Sequence, residues 1–375
     1  MRVMKKHYVL LAVICCFVVP IQKAITRNAR LSPNFATGSG QQFADLGNFK
    51  LQSGRTIHGL RLGYRTLGKL NEKKTNAILW PTWLGGQSSD LLPYAGPNSV
   101  LDTNRYFVIF VDAIGNGVST SPSNSKSEPR LEFPQFTIRD MVESEHELVT
   151  TVFQLTQLYA VMGVSMGGMQ TFEWAVAYRN FAGAAIPMTG SPQSTAYDKL
   201  LWTAESNALE LDPEWKNGAG TKPMTAGFGL FSEIDSMNLS SPAYRVSKTK
   251  PEDFASFLAA TNKSEIRDAG IACDAIRQRQ AIMALDMPRE YGASMAEIAK
   301  RVRAKMLVVV SPEDHMVNPA PAMEFAAAAG APVIRLDSAC GHLSLDCISA
   351  GPVVAQFLAS PASVQSMTLT ENHSQ

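Results

Sequence analysis

Long hydrophobic runs are nearly missing from this chain of 375 residues. Only Tyr8 to Pro20 stands out, and no other stretch approaches the roughly 18 apolar residues that a spanning helix needs. An excess of one charge is missing as well. Against 34 Lys+Arg stand 33 Asp+Glu, a net charge of +1, which removes any global electrostatic case for a nucleic-acid partner. Cysteine is scarce: five residues are too few for a disulfide framework. Hydrophobic residues make up 45%, which excludes wholesale disorder. What remains is a globular chain able to bury about three quarters of its unfolded surface. Its length suits about two domains, or one large α/β domain with an insertion.

The lone apolar run sits behind Arg2, Lys5 and Lys6. A basic start, 13 apolar residues and the small residues of Ala24-Ile25-Thr26 read as an export signal over 1–26. Left uncleaved, the same run would act as an anchor. The mature chain is expected to have no stable membrane span. Residues 27–44 are polar and read as a linker. Cys340 and Cys347 are close enough in sequence to form a local bridge in an oxidising compartment, with two ordinary buried thiols as the alternative.

From residue 45 the pattern is that of alternating strands and helices. Phe49 to Gln52 and Leu60 to Tyr64 alternate around Ser53-Gly54, a β-hairpin. Ala77 to Trp83 and Tyr106 to Val111 are short, nearly continuous apolar runs suited to parallel strands covered on both faces; Tyr159 to Val164 is another buried strand, Ala184 to Met188 and Met306 to Val310 are further strands, and Val333 to Leu336 is the last. Thr137 to Asp140 resembles a capping box ahead of a helical apolar pattern. This predicts an α/β fold, a mainly parallel sheet with helices on both faces. Between 195 and 295 the rhythm changes to helix-like stretches with no buried strand, a helical insertion. The core therefore divides into 45–194 and 296–360, and 361–375 reads as a loose tail.

Gly163-Val164-Ser165-Met166-Gly167 satisfies G-x-S-x-G, follows a strand and opens a helix, as a nucleophile elbow must. Ser165 is the candidate nucleophile, and the Met166 N–H would face the reacting carbonyl. Six histidines allow elimination. His7 and His373 lie in the termini, His58 in the hairpin, and His146 in a helix before the nucleophile. The order serine, acid, histidine then favours His342, which follows the last predicted strand, over His315. Asp314 ends the preceding strand and would hold the imidazole tautomer, with Glu313 as competitor. A second oxyanion donor is expected in the glycine turn after Trp80-Pro81-Thr82, at Leu84, with Trp83 next. No cofactor or metal is expected.

Ser165-Met166-Gly167-Gly168-Met169-Gln170 with Glu173-Trp174-Ala175 resembles the nucleophile segment of the homoserine O-acetyltransferase family of α/β-hydrolase-fold proteins. The likeness extends through Asn76-Ala77, Asp112-Ala113-Ile114-Gly115-Asn116-Gly117 and Asp212-Pro213-Glu214-Trp215, over roughly 45–360. It implies an α/β-hydrolase fold, a helical lid, a ping-pong acyl-serine mechanism, and Ser165, Asp314 and His342 as triad. The family's amino-acid acetyltransferases carry an aspartate after the catalytic histidine, where this chain has Leu343. They also carry a lid arginine, and here none occurs between Arg179 and Arg245. A buried zwitterion without those partners is heavily penalised. The expected partner is a small-molecule ester or acyl donor. Three readings stay open: an exported serine ester hydrolase, an O-acyltransferase from acyl-CoA to a small alcohol, and a non-catalytic binding protein on the same fold.

Overall fold

The computed structural model describes residues 40–264 and 266–371. The signal over 1–26, linker residues 27–39 and tail residues 372–375 lie outside the described residues.

The chain opens with a hairpin, β1 (Gln42–Lys50) and β2 (Thr56–Leu67), which pair antiparallel. The linker expected over 27–44 therefore ends early, because Gln42 already pairs with Tyr64. Strand β3 (Ala77–Pro81) is buried along its whole length, as its continuous apolar run requires. Two short strands, β4 (Ala95–Gly96) and β5 (Leu101–Asp102), pair only with each other. Strand β6 (Phe107–Val111) returns to the main sheet.

Helix α1 (Ile138–Glu147) starts at the expected capping box. The Asp140 N–H donates to Thr137 Oγ1 at 3.1 Å, and Asp140 Oδ2 accepts from the Thr137 N–H at 2.8 Å. Strand β7 (Leu158–Val164), helix α2 (Met166–Ala177) and strand β8 (Ala182–Met188) follow.

The helical insertion then runs through α3 (Ala196–Glu210), α4 (Thr225–Leu239), α5 (Pro242–Lys248), α6 (Phe254–Ser264), α7 (Ala269–Ala284) and α8 (Met287–Glu290). It has a core of its own, built on Leu209, Trp215, Met224, Phe228, Cys273 and Ile276. Asp212 of the Asp-Pro-Glu-Trp segment accepts from the N–H groups of Glu214 (2.7 Å) and Gly227 (2.6 Å), fixing the turn that delivers Trp215.

The sheet resumes after α9 (Met295–Ala299). The run Met306 to Val310 is split into β9 (Lys305–Met306), which pairs with β8, and β10 (Val308–Val310), which pairs with β8 and β11. Then come α10 (Ala320–Ala329), β11 (Val333–Asp337), α11 (Ser344–Cys347) and α12 (Gly351–Ala359). A last strand, β12 (Met367–Thr370), pairs parallel to β11. The expected loose tail is therefore corrected over the described residues: 367–370 is an edge strand, held by its backbone ladder rather than by buried side chains.

The strand order is β1-β2-β6-β3-β7-β8-β10-β11-β12, with β9 beside β8. Only β1–β2 and β2–β6 are antiparallel. The carboxyl ends of β7, β8, β10 and β11 therefore line up on one edge, where open α/β sheets place their ligands. Among the described residues, no helix is long and apolar enough to cross a membrane.

Candidate active site

Ser165 sits between β7 and α2 with φ 56° and ψ −122°, a backbone state that L-residues avoid. The turn can be this tight because its neighbours are glycines. A Cβ on Gly163 would lie 2.3 Å from the Gly167 carbonyl oxygen, and one on Gly167 would lie 2.5 Å from that of Pro81. A serine at a helix N-terminus usually caps it, but the Ser165 side chain makes no cap bond. Its Oγ instead lies 2.9 Å from His342 Nε2.

His342 lies in the turn after β11 and is 8% exposed, like Ser165. Its Nδ1 is 2.7 Å from Asp314 Oδ2. The other carboxylate oxygen of Asp314 accepts from the N–H groups of Met316 (2.9 Å) and Val317 (2.8 Å), so the loop after β10 fixes its orientation. Asp314 is buried. Glu313 points outward, with its carboxylate 3.9 Å from half-exposed His315. The structure thus separates the two adjacent acids, and the imidazole meets Asp314 alone.

The electrostatics of His342 are a contest. Burial pushes the imidazole pKa down. The Asp314 charge and hydrogen bond push it up, with Asp235 and Asp346 adding to them, and the net direction is upward. The other described histidines are occupied elsewhere: His58 against Glu128, and His146 stacked on Tyr178 at 3.8 Å.

Two loops beside the triad carry the expected donor groups. Met166 is the first residue of α2, so its N–H has no intrahelical acceptor. The turn after β3 is held from several sides. The Thr82 N–H donates to Val111 O (3.0 Å), its Oγ1 accepts from the Ala113 N–H (3.1 Å), and its carbonyl accepts from Gln170 Nε2 (3.2 Å). The Gly86 N–H donates to Trp83 O at 3.0 Å, and Gly86 O accepts from Asn116 Nδ2 at 2.9 Å. The Gly85 N–H is taken by Gln278 Oε1 at 2.8 Å. The turn's remaining amides, those of Trp83 and Leu84, are the two weighed as oxyanion donors.

Sequence reasoning missed several supports. Gln278, on helix α7 of the insertion, also donates to Ile114 O at 3.0 Å and so bridges the turns after β3 and β6. Buried Asp112 gathers the Ser88 N–H, Ser88 Oγ, Gln41 Nε2 and Asn116 Nδ2, which gives the Asp-Ala-Ile-Gly-Asn-Gly turn a structural task. Ser311 and Ser344, from the acid and base loops, share a buried hydrogen bond of 2.9 Å. The Ser344 hydroxyl donates to Gly341 O, so Ser311 is the donor in that pair. Asp198, in the first turn of α3, accepts from the Asn318 N–H at 3.0 Å and ties the lid to the acid loop. Serine, asparagine and glutamine in such roles carry no pattern that distinguishes them from surface residues. A cavity of about 350 Å³ at the opposite end of β7 and β8, lined by Gln157, Asn180 and Gly183 among others, touches none of the triad.

Comparison with known proteins agrees with this fold. Residues 78–345 match the alpha/beta hydrolase fold family. An ethyl acetate hydrolase of Pseudomonas veronii is 35% identical over 193 residues, 50% of this chain and 55% of that protein. A homoserine O-acetyltransferase of Methanococcoides burtonii is 29% identical over 309 residues, 73% of this chain and 62% of that protein. The chain spans roughly half to three fifths of the length of these curated relatives. Among solved structures, the acetyl esterase MekB superposes with a TM-score of 0.78 at 26% identity, covering 86% of this chain and 98% of that one. An acetylester hydrolase from Corynebacterium glutamicum gives 0.76 at 28%, covering 85% and 95%. The chain belongs to the alpha/beta hydrolase fold family.

Proposed function

We propose that the protein hydrolyses small esters through an acyl intermediate on Ser165. The observation that carries this reading is the unbroken hydrogen-bonded line from Asp314 through His342 to a strained, uncapped serine. In the first half-reaction Ser165 Oγ attacks the ester carbonyl carbon, and His342 Nε2 takes the hydroxyl proton. The carbonyl oxygen gains negative charge and is met by the N–H groups of Met166 and Leu84. Collapse expels the alcohol, which leaves with the proton from His342. In the second half-reaction His342 removes a proton from water and the hydroxide adds to the acyl-serine carbonyl; collapse breaks the acyl–Oγ bond, His342 returns the proton to Ser165 Oγ, and the acid departs. Asp314 stays ionised throughout and stabilises the imidazolium.

Water as acceptor is supported by the residue after the base. Leu343 is apolar and 37% exposed, where the amino-acid acetyltransferases of the family carry a carboxylate. An α-ammonium there would lose its ion pair, at a cost of several kcal/mol when buried. Relatives described as an ethyl acetate hydrolase and an acetyl esterase support the same choice. Export is part of the proposal: the basic, apolar start of the chain favours it, and the Cys340–Cys347 bridge suits an oxidising compartment.

The test is turnover of short-chain esters beside acetyl transfer from acetyl-CoA to homoserine, in one preparation. The proposal expects ester hydrolysis and negligible homoserine acetylation. Efficient acetylation would replace the hydrolase reading by the acyltransferase one and leave the triad standing.

A further inference from the structure

We infer that the Cys340–Cys347 disulfide is a positioning element for His342 and makes activity depend on a thiol–disulfide state. The inference rests on the esterase reading above. The bridge spans seven positions and encloses the 341–343 turn that carries the imidazole, with Cys340 two residues before the base. Both triad distances, 2.7 Å and 2.9 Å, depend on where that turn sits.

The two sides of the turn are anchored by different means. On the N-terminal side the backbone is boxed in. Buried Cys340 donates its N–H to Ser338 Oγ at 3.0 Å, and that hydroxyl in turn donates to the Glu371 carboxylate. Gly341 has φ 64°, and a Cβ there would lie 3.0 Å from Glu313 O, Ser240 Cα and Ser241 N. On the C-terminal side the chain enters α11, a helix of four residues. So short a helix does not hold itself. Its last residue, exposed Cys347, is tied by the bridge to the boxed Cys340. Ser344, the partner of Ser311, lies inside the enclosed segment. Opening the bridge removes the covalent closure of the segment that holds both His342 and its link to the acid loop, and leaves that segment to the Ser344 hydrogen bonds and to Ile348, buried in the core just beyond it. Cys273 is buried in the lid core and offers no alternative pairing.

The exposure of Cys347 sets the side from which the bridge is attacked. A thiolate of a dithiol reductant attacks Cys347 Sγ. The S–S bond breaks, and its electron pair leaves on Cys340 Sγ, which takes up a proton. Cys340 Sγ lies 3.9 Å from Glu371 Oε1, a neighbour that disfavours the leaving thiolate and slows this step. The second thiolate of the reductant then attacks the mixed disulfide. It closes the reductant's own disulfide and releases Cys347, which is protonated in turn. The reductant is oxidised by two electrons and the protein gains two thiols.

The experiment uses the wild-type protein before reduction, after dithiothreitol, and after reoxidation, beside C340A/C347A. Trapped thiols are mapped by peptide mass spectrometry. Ser165 labelling by a fluorophosphonate, kcat, KM and the pH profile of kcat/KM are measured in each state. Reduction is expected to lower kcat and the labelling rate by about 10-fold to 100-fold, the scale of a misplacement near 1 Å. KM should change less, and the acidic limb should move toward the ordinary imidazole value as the Asp314 contact loosens. Reoxidation should restore all of these, and the double variant should be as slow as reduced protein and indifferent to dithiothreitol. Unchanged kcat and pH profile in protein with both thiols trapped would overturn the inference alone. Absence of Ser165 labelling in the oxidised protein would contradict the esterase reading and this inference with it.

Discussion

Gln278, on a lid helix, accepts a hydrogen bond from the Gly85 N–H at 2.8 Å, and so holds the turn that presents the Leu84 amide. The helical insertion is thus hydrogen-bonded into the candidate oxyanion loop. Gln278→Ala releases the Gly85 N–H and leaves the buried Ile114 carbonyl without its partner, the latter at roughly 1–3 kcal/mol for a buried unsatisfied group. Steady-state kinetics should show a fall in kcat of about 10-fold or more, larger than any change in KM, since the loss is felt at the developing oxyanion. A change in KM alone would place Gln278 in substrate binding instead.

Asp314→Asn is expected to lower kcat by about 10⁴ through the wrong imidazole tautomer. Glu313→Gln should be nearly silent, because its carboxylate lies outside the triad beside His315. Kinetics of the two variants in parallel check this, and the reverse pattern would move the acid by one residue.

The pH dependence follows from His342. Only its neutral form accepts the serine proton, so kcat/KM must rise with pH through its pKa. That value is displaced upward from the ordinary 6.5: burial lowers it, but the Asp314 charge and hydrogen bond, with Asp235 and Asp346, outweigh burial. The acidic limb should therefore lie above the ordinary imidazole value. Asp235→Asn should shift it downward. A limb at or below 6.5 in the wild type would contradict the assigned balance.

Stability has its own pH signature. The Glu145 carboxyl is fully buried, accepts from Trp174 Nε1 at 2.6 Å, and is pushed up to about 8 by that burial, from an ordinary 4.5. A raised carboxyl pKa means that the folded state holds a proton the unfolded state has released. Stability from this group is then present below the ordinary value and is lost as pH climbs from there through about 8. Glu145→Gln removes the titration. Thermal melting from pH 5 to pH 9 should show wild type losing Tm relative to the variant (roughly that window follows from the linkage). Parallel curves would show that Glu145 does not titrate with folding.

The sequence made the triad legible because each member sits at a strand end with a local signature. Ser165 lies between glycines after a buried run, Asp314 follows Val308 to Val310, and His342 follows β11. Strands β7 and β10 were legible as nearly continuous apolar runs, and β11 by the alternation of buried Ile334 and Leu336 with exposed Arg335 and Asp337. Strand β12 was not: three of the four side chains of Met367 to Thr370 are exposed, and the ladder to β11 leaves no trace in hydrophobicity. The lid could be read as helical. Its tie to the catalytic loops could not, because it runs through Gln278 and Asp198, whose partners lie 193 and 120 residues away in sequence.

The most direct test of the whole account is the fate of Ser165 during turnover of an activated acetyl ester, followed by rapid acid quench and peptide mass spectrometry. The account predicts one acetyl group on the peptide holding Ser165, formed and consumed at rates that match turnover. It also predicts no adduct in Ser165→Ala, whose kcat should fall by about 10⁶ with the fold intact. Turnover that continues with Ser165 unmodified, or an acetyl group on another residue that is kinetically competent, would contradict it.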